Sequence, residues 1–136
     1  MNVINVAKYI INMCINEDSP ISNLQLQKML YFTYKNMLKS GIKFFNAEFE
    51  ARDYGPVCRE VYNEFIAYGA TKLSTRKEII EPLRREISDI IDKVIKENLN
   101  KSPWEIVQES KNEQAWKNAY KKGERNIMKD EDIKAF

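Results

Sequence analysis

The chain has 136 residues, 43% apolar and 31% charged, and its 22 basic and 20 acidic side chains leave a net charge of +2. That length suits one folded unit able to bury roughly two-thirds of the surface its unfolded form exposes, and the composition excludes a disordered or collagen-like chain. The small net charge makes no demand for a polyanionic partner, although it leaves room for a local basic face.

Histidine is absent, which removes Ser-His-Asp and Cys-His nucleophiles, HExxH metalloprotease chemistry and the usual His-containing zinc sites. No GxxxxGK[ST] or GxGxxG stretch occurs, so no glycine-rich loop is available to cradle a phosphate. Cys14 and Cys58 stand 44 positions apart without a CxxC pair, the pattern of two buried free thiols in a reducing compartment. The run Tyr9-Ile10-Ile11 between Lys8 and Asn12 is too short for a signal or a membrane span. A cytoplasmic protein without membrane, metal or cofactor is expected. Carboxylate or lysine chemistry is the one enzymatic route left open.

In chain order, Val3, Val6, Ala7, Ile10 and Cys14 line one face of a helix over residues 2–16, with Asn2 as its cap. A turn at 17–20 precedes a capping box at Ser22 and Gln25, with Ile21 and Leu26 in the staple positions. The helix so started carries Leu26, Leu30, Tyr34 and Met37 on its core stripe, Lys28 and Lys35 on its wet side, and ends near Ser40-Gly41. From Phe45 to Arg52 the period changes to two, which predicts a short strand; one extra helical turn is the competing reading.

Gly55-Pro56 then marks a corner, with Pro56 at the first position of a helix through Val57, Val61 and Phe65 that stops at Gly69. Asp53 is read as that helix's cap and Arg52 and Arg59 as solvated, against an anion site at the helix start. Residues 70–80 read as loop or a second extended piece around Lys72-Leu73-Ser74. Pro82 opens a helix whose stripe is Leu83, Ile87, Ile90, Ile91, Val94 and Ile95. Ser102-Pro103-Trp104-Glu105 and Ser110-Lys111-Asn112-Glu113 are two further capping boxes, starting two short helices in succession. The second carries Trp116, Ala119 and Tyr120 and stops at Gly123, and Asp130 caps a last turn. Trp104 and Trp116 are both assigned to the core, while Glu48 and Glu50 are read as solvated charges rather than a catalytic or metal-binding pair. The expected fold is mainly α: a single multi-helix domain over 1–136 with one extended segment at 45–52.

The set formed by Leu24-Gln25-Leu26-Gln27-Lys28-Met29-Leu30-Tyr31-Phe32, Phe49-Glu50-Ala51, Tyr54-Gly55-Pro56-Val57 and Glu60-Val61-Tyr62, followed by Phe65, Gly69, Ser110, Glu113 and Trp116, resembles the Panacea domain of the antitoxin SocA-like family, also seen in phage-associated proteins. Lys111 stands where the family pattern usually has His, and Ala115 where it often has Pro. The resemblance implies a mainly helical protein, encoded beside a toxin, that neutralises the toxin by binding it without catalysis. The candidate contact residues are Arg52, Tyr54, Gly55, Pro56, Val57, Arg59, Tyr62, Glu113 and Trp116, because a rigid corner presenting an aromatic loses little conformational entropy on binding. The partners expected are a cognate protein toxin and, as a homodimer, a second copy. The alternative is a helix-turn-helix nucleic-acid binder in which Lys28, Lys35 and Lys39 meet phosphates; the weak net charge argues against it.

Overall fold

Helix α2 (Asn23–Ser40) is the hub of the computed structural model, which describes residues 1–136. It touches helices α1 (Val3–Asn16), α3 (Arg59–Glu64), α4 (Arg85–Asn98), α5 (Pro103–Lys111) and α7 (Asp130–Ala135) and strand β2 (Gly55–Val57). Helix α6 (Gln114–Lys121) packs instead on strand β1 (Glu50–Arg52). A hub contacted on all sides must be buried on all sides, and α2 hides Leu26, Gln27, Lys28, Met29, Leu30, Tyr31, Thr33, Tyr34 and Met37. Its start is the reciprocal Ser22–Gln25 capping box, worth about 1 kcal/mol, and Gly41 at φ +82 closes it in the left-handed region.

The fold is mainly α, as expected, with one small antiparallel sheet of order β2-β1-β3, where β3 is Asn126–Ile127. One continuous apolar core joins Val6, Ile10 and Cys14 of α1 to Ile87, Ile91 and Val94 of α4 and to Phe45, Phe49 and Trp116. Tyr31 meets Phe49 edge-on, ring centroids 5.4 Å apart at 87°, an arrangement that adds about 1 kcal/mol beyond the area buried.

Several boundaries depart from the expectation. Pro56 lies in β2, not in a helix; α3 begins at Arg59 with Cys58 as N-cap and no side-chain cap, and Asp53 instead accepts from the Tyr120 hydroxyl. β2 is an edge strand, where a missing N–H is tolerated. Helix α4 begins at Arg85 rather than Pro82, because two asparagines of α1 hold the preceding chain in an irregular, non-helical path. Asn12 exchanges two hydrogen bonds of 2.8 Å with the Lys77 backbone, and Asn5 donates to the Glu81 carbonyl at 2.7 Å while accepting from the Ile80 N–H at 3.0 Å. The Lys72-Leu73 piece is extended, bridged to Ser22, with the Leu73 N–H donating to the Ile21 carbonyl at 2.7 Å.

Ser110 starts no helix: it is buried inside α5, and Glu113 is the N-cap of α6. Lys129, not Asp130, is the N-cap of α7. Trp104 is exposed whereas Trp116 is buried. Strand β3 had no counterpart in the expectation. No helix is long and apolar enough to cross a membrane.

Candidate functional site at the Asp53-Tyr54 turn

Strands β1 and β2 form a hairpin in register Arg52↔Gly55, so Asp53 and Tyr54 are its two loop residues. Two-residue hairpins ordinarily use turns with positive φ in the loop, because that twist matches the strands. Neither Asp53 nor Tyr54 has a positive φ; Gly55 at φ +104 supplies the adjustment instead. A side chain there is excluded twice over, since a Cβ on Gly55 would stand 2.3 Å from the Ser110 Oγ and the backbone angle itself disfavours one.

Beneath the hairpin, three polar side chains from the first two turns of α2 take the backbone of the corner. Lys28 Nζ donates to the Pro56 carbonyl at 2.9 Å. Gln27 Oε1 accepts from the Cys58 N–H at 2.9 Å, and its amide donates to Asn23 Oδ1 at 3.0 Å. Asn23 in turn donates to the Tyr62 carbonyl at 3.0 Å. From the other side Trp116 Nε1 donates to the Arg52 carbonyl at 3.0 Å, and Tyr120, stacked on Trp116 at 4.6 Å, donates to Asp53. The turn is therefore pinned at Arg52, Asp53, Pro56 and Cys58, and Tyr54 is left 59% exposed between the pins.

The candidate contact residues divide accordingly. Gly55, Pro56 and Val57 are buried, as is Trp116; Arg52, Tyr62 and Glu113 are half-buried, and Tyr54 and Arg59 face solvent. Glu113 is an internal tie, accepting from Lys35 Nζ at 2.5 Å and from the Tyr31 hydroxyl at 3.1 Å. The arginines are not simply solvated, nor is Glu50. Glu50 is buried and paired with Arg52 Nη2 at 2.7 Å and Arg59 Nη2 at 2.6 Å, and the Arg52 guanidinium lies 5.3 Å over the Tyr62 ring. Lys28 is fully buried and Lys35 is taken by Glu113, so the wet side expected of α2 is an interior face, and two of the three lysines offered for phosphate contact are occupied.

Burial, with Arg52 adding to it, pulls the Lys28 ammonium from its ordinary 10.5 down to about 7. Burial pushes the Cys14 thiol up to about 12 and the Cys58 thiol upward as well, so neither cysteine is a ready nucleophile. No group of three Cys, Asp or Glu side chains is placed to hold a metal ion.

Sequence reasoning did not place Asn23, Gln27, Lys28 or Ser110 against the corner, although the last three stand in the stretches that carry the family resemblance. One local signal pointed to Lys28: Leu24 precedes it by four residues and Tyr31 and Phe32 follow by three and four, so on a helix its own face is apolar.

The comparisons converge on the same stretch of chain. Residues 26–117 match the family described as Antitoxin SocA-like, Panacea domain. Antitoxin SocA of Caulobacter vibrioides (strain NA1000 / CB15N) is 36% identical over 100 residues, covering 71% of this chain and 53% of the relative. The chain thus spans about half the length of that curated relative. No solved structure matches. With the matched region running from α2 through the hairpin to Trp116, the elements that build and pin the turn, this chain belongs to the antitoxin SocA-like family and carries its Panacea domain.

Proposed function

We propose that the chain neutralises a protein toxin, encoded beside it, by direct binding and without catalysis, with Tyr54 at the centre of the contact. Membership of an antitoxin family supports the role. The observation that supports the place is a large aromatic left exposed on a turn whose backbone is fixed on both sides, because ordering such a residue on binding costs little. Inhibition then follows mass action: a tight complex keeps free toxin low. Catalysis is disfavoured by the state of the two buried charges, since Glu50 is matched by two arginines and Lys28 is closed to solvent.

Co-expression with the product of the adjacent gene tests this. The neighbour should arrest growth alone and be rescued by this chain, and Tyr54→Ala should lose rescue while keeping its thermal midpoint. A harmless neighbour, or full rescue by Tyr54→Ala, refutes the role or the place respectively.

A further inference from the structure

The segment that packs on the turn carries an excess of positive charge. Between Lys111 and Arg125 five basic residues face two acidic ones, so this stretch alone is +3 in a chain of total charge +2. Everything else is close to neutral, and its exposed charges include mixed pairs such as Arg85–Asp89 and Lys93–Glu97. Lys111, Lys117, Lys121, Lys122 and Arg125 have no carboxylate within ion-pair distance, and the last four are exposed. Two of the nearby acids are internally engaged, Glu113 by Lys35 and Tyr31 and Asp53 by the Tyr120 hydroxyl, while Glu124 is exposed and offsets one of these charges.

The fold brings these cations to the Tyr54 turn. Trp116 and Tyr120 of α6 are bonded to Arg52 and Asp53, and each is followed in sequence by an exposed lysine, Lys117 and Lys121, one helical turn apart. The Arg125 N–H donates to the Ala51 carbonyl at 2.6 Å, fixing that residue beside β1. Lys111 Nζ lies 5.5 Å over the Trp116 ring. The helix that pins the turn thus carries exposed positive charge without an ion-pair partner.

We propose that the α6 face beside Tyr54 docks an acidic surface of a protein partner, with Lys117 and Lys121 its principal charges. This rests on the toxin-binding reading and adds the chemistry of the partner's face: an apolar socket for Tyr54 rimmed by carboxylates. Complementary charge of this kind speeds encounter and weakens with salt. Duplex DNA is the competing polyanion, disfavoured because the remainder of the chain carries no excess of positive charge.

A 20-residue polyglutamate peptide serves as the probe, titrated into the full chain, into Lys117→Glu/Lys121→Glu and into the control Lys93→Glu/Lys96→Glu on α4. Each variant is checked for an unchanged circular dichroism spectrum, and 20-base-pair duplex DNA is run in parallel at low and physiological salt. The expected result is that the peptide binds the parent and the control alike, at least tenfold more weakly to the α6 variant, with affinity falling as salt rises. Absence of peptide binding, equal loss in the control, or tighter binding of DNA than of the peptide overturns the proposal. Growth rescue by the same variants is scored separately. If the neighbouring gene encodes no toxin, the toxin reading fails while the peptide titration still decides the surface.

Discussion

Replacing the buried lysine should make the protein more stable near neutral pH, by an amount that shrinks as pH rises. Lys28 is fully buried, with its pKa drawn from 10.5 to about 7. Between those values the unfolded chain binds a proton that the folded chain releases, so stability rises with pH across this window. The cost of holding the group in the fold is about 5 kcal/mol near pH 6.5 and about 3 kcal/mol near pH 8.5. Lys28→Met keeps the aliphatic stem and removes the charge, but it leaves the Pro56 carbonyl without its donor, a loss of about 1–3 kcal/mol. The variant should therefore exceed the parent by about 2–4 kcal/mol near pH 6.5 and by about 0–2 kcal/mol near pH 8.5. Urea unfolding followed by circular dichroism at intervals over that range measures both curves. The upper limit matters, because Cys14, held up to about 12, and Cys58, Tyr31 and Tyr34, also raised, begin to ionise in the unfolded chain above it and turn the trend downward. Parallel curves for the two proteins, or a variant less stable than the parent near pH 6.5, would refute the reasoning.

Gly55→Ala should destabilise by about 2–4 kcal/mol, since it meets Ser110 Oγ and a φ of +104 together; a shift in thermal midpoint no larger than that of a neutral surface variant would count against the tight corner. Gln27→Leu should cost about 2–3 kcal/mol, because the Cys58 N–H loses its buried acceptor and Asn23 a donor. Hydrogen exchange at the Cys58 amide reports this directly, and protection equal to the parent's would contradict it.

Where the controlling interactions are local, the fold could be read from the chain. The stripe of α1, the Ser22–Gln25 box and its helix, and the core face of α4 depend on neighbours within one or two turns. The failures share a different cause. Ser102 and Ser110 each precede a glutamate by three, yet only Ser102 caps a helix. Pro103 makes the residue before it extended, whereas nothing at Lys111 interrupts the helix already running. Pro82 is as acceptable at a helix start as in an extended segment, and Asn5 and Asn12, more than sixty residues earlier, decide the matter. Pro56 is equally undetermined locally; Lys28 and Gln27, about thirty residues before it, fix it in an edge strand.

The LQK stretch of α2 and the YGPV corner are thus two halves of one arrangement, side chains on the helix matched to backbone groups on the strand. A methionine at position 28 would fill the same space with less cost to stability, but only a donor holds the Pro56 carbonyl. The corner so held fixes the backbone that carries Tyr54, which leaves less of the chain to be ordered on binding. Lys28→Met should therefore separate the two properties: greater stability near neutral pH together with weaker toxin rescue, the opposite of what a purely structural lysine would give.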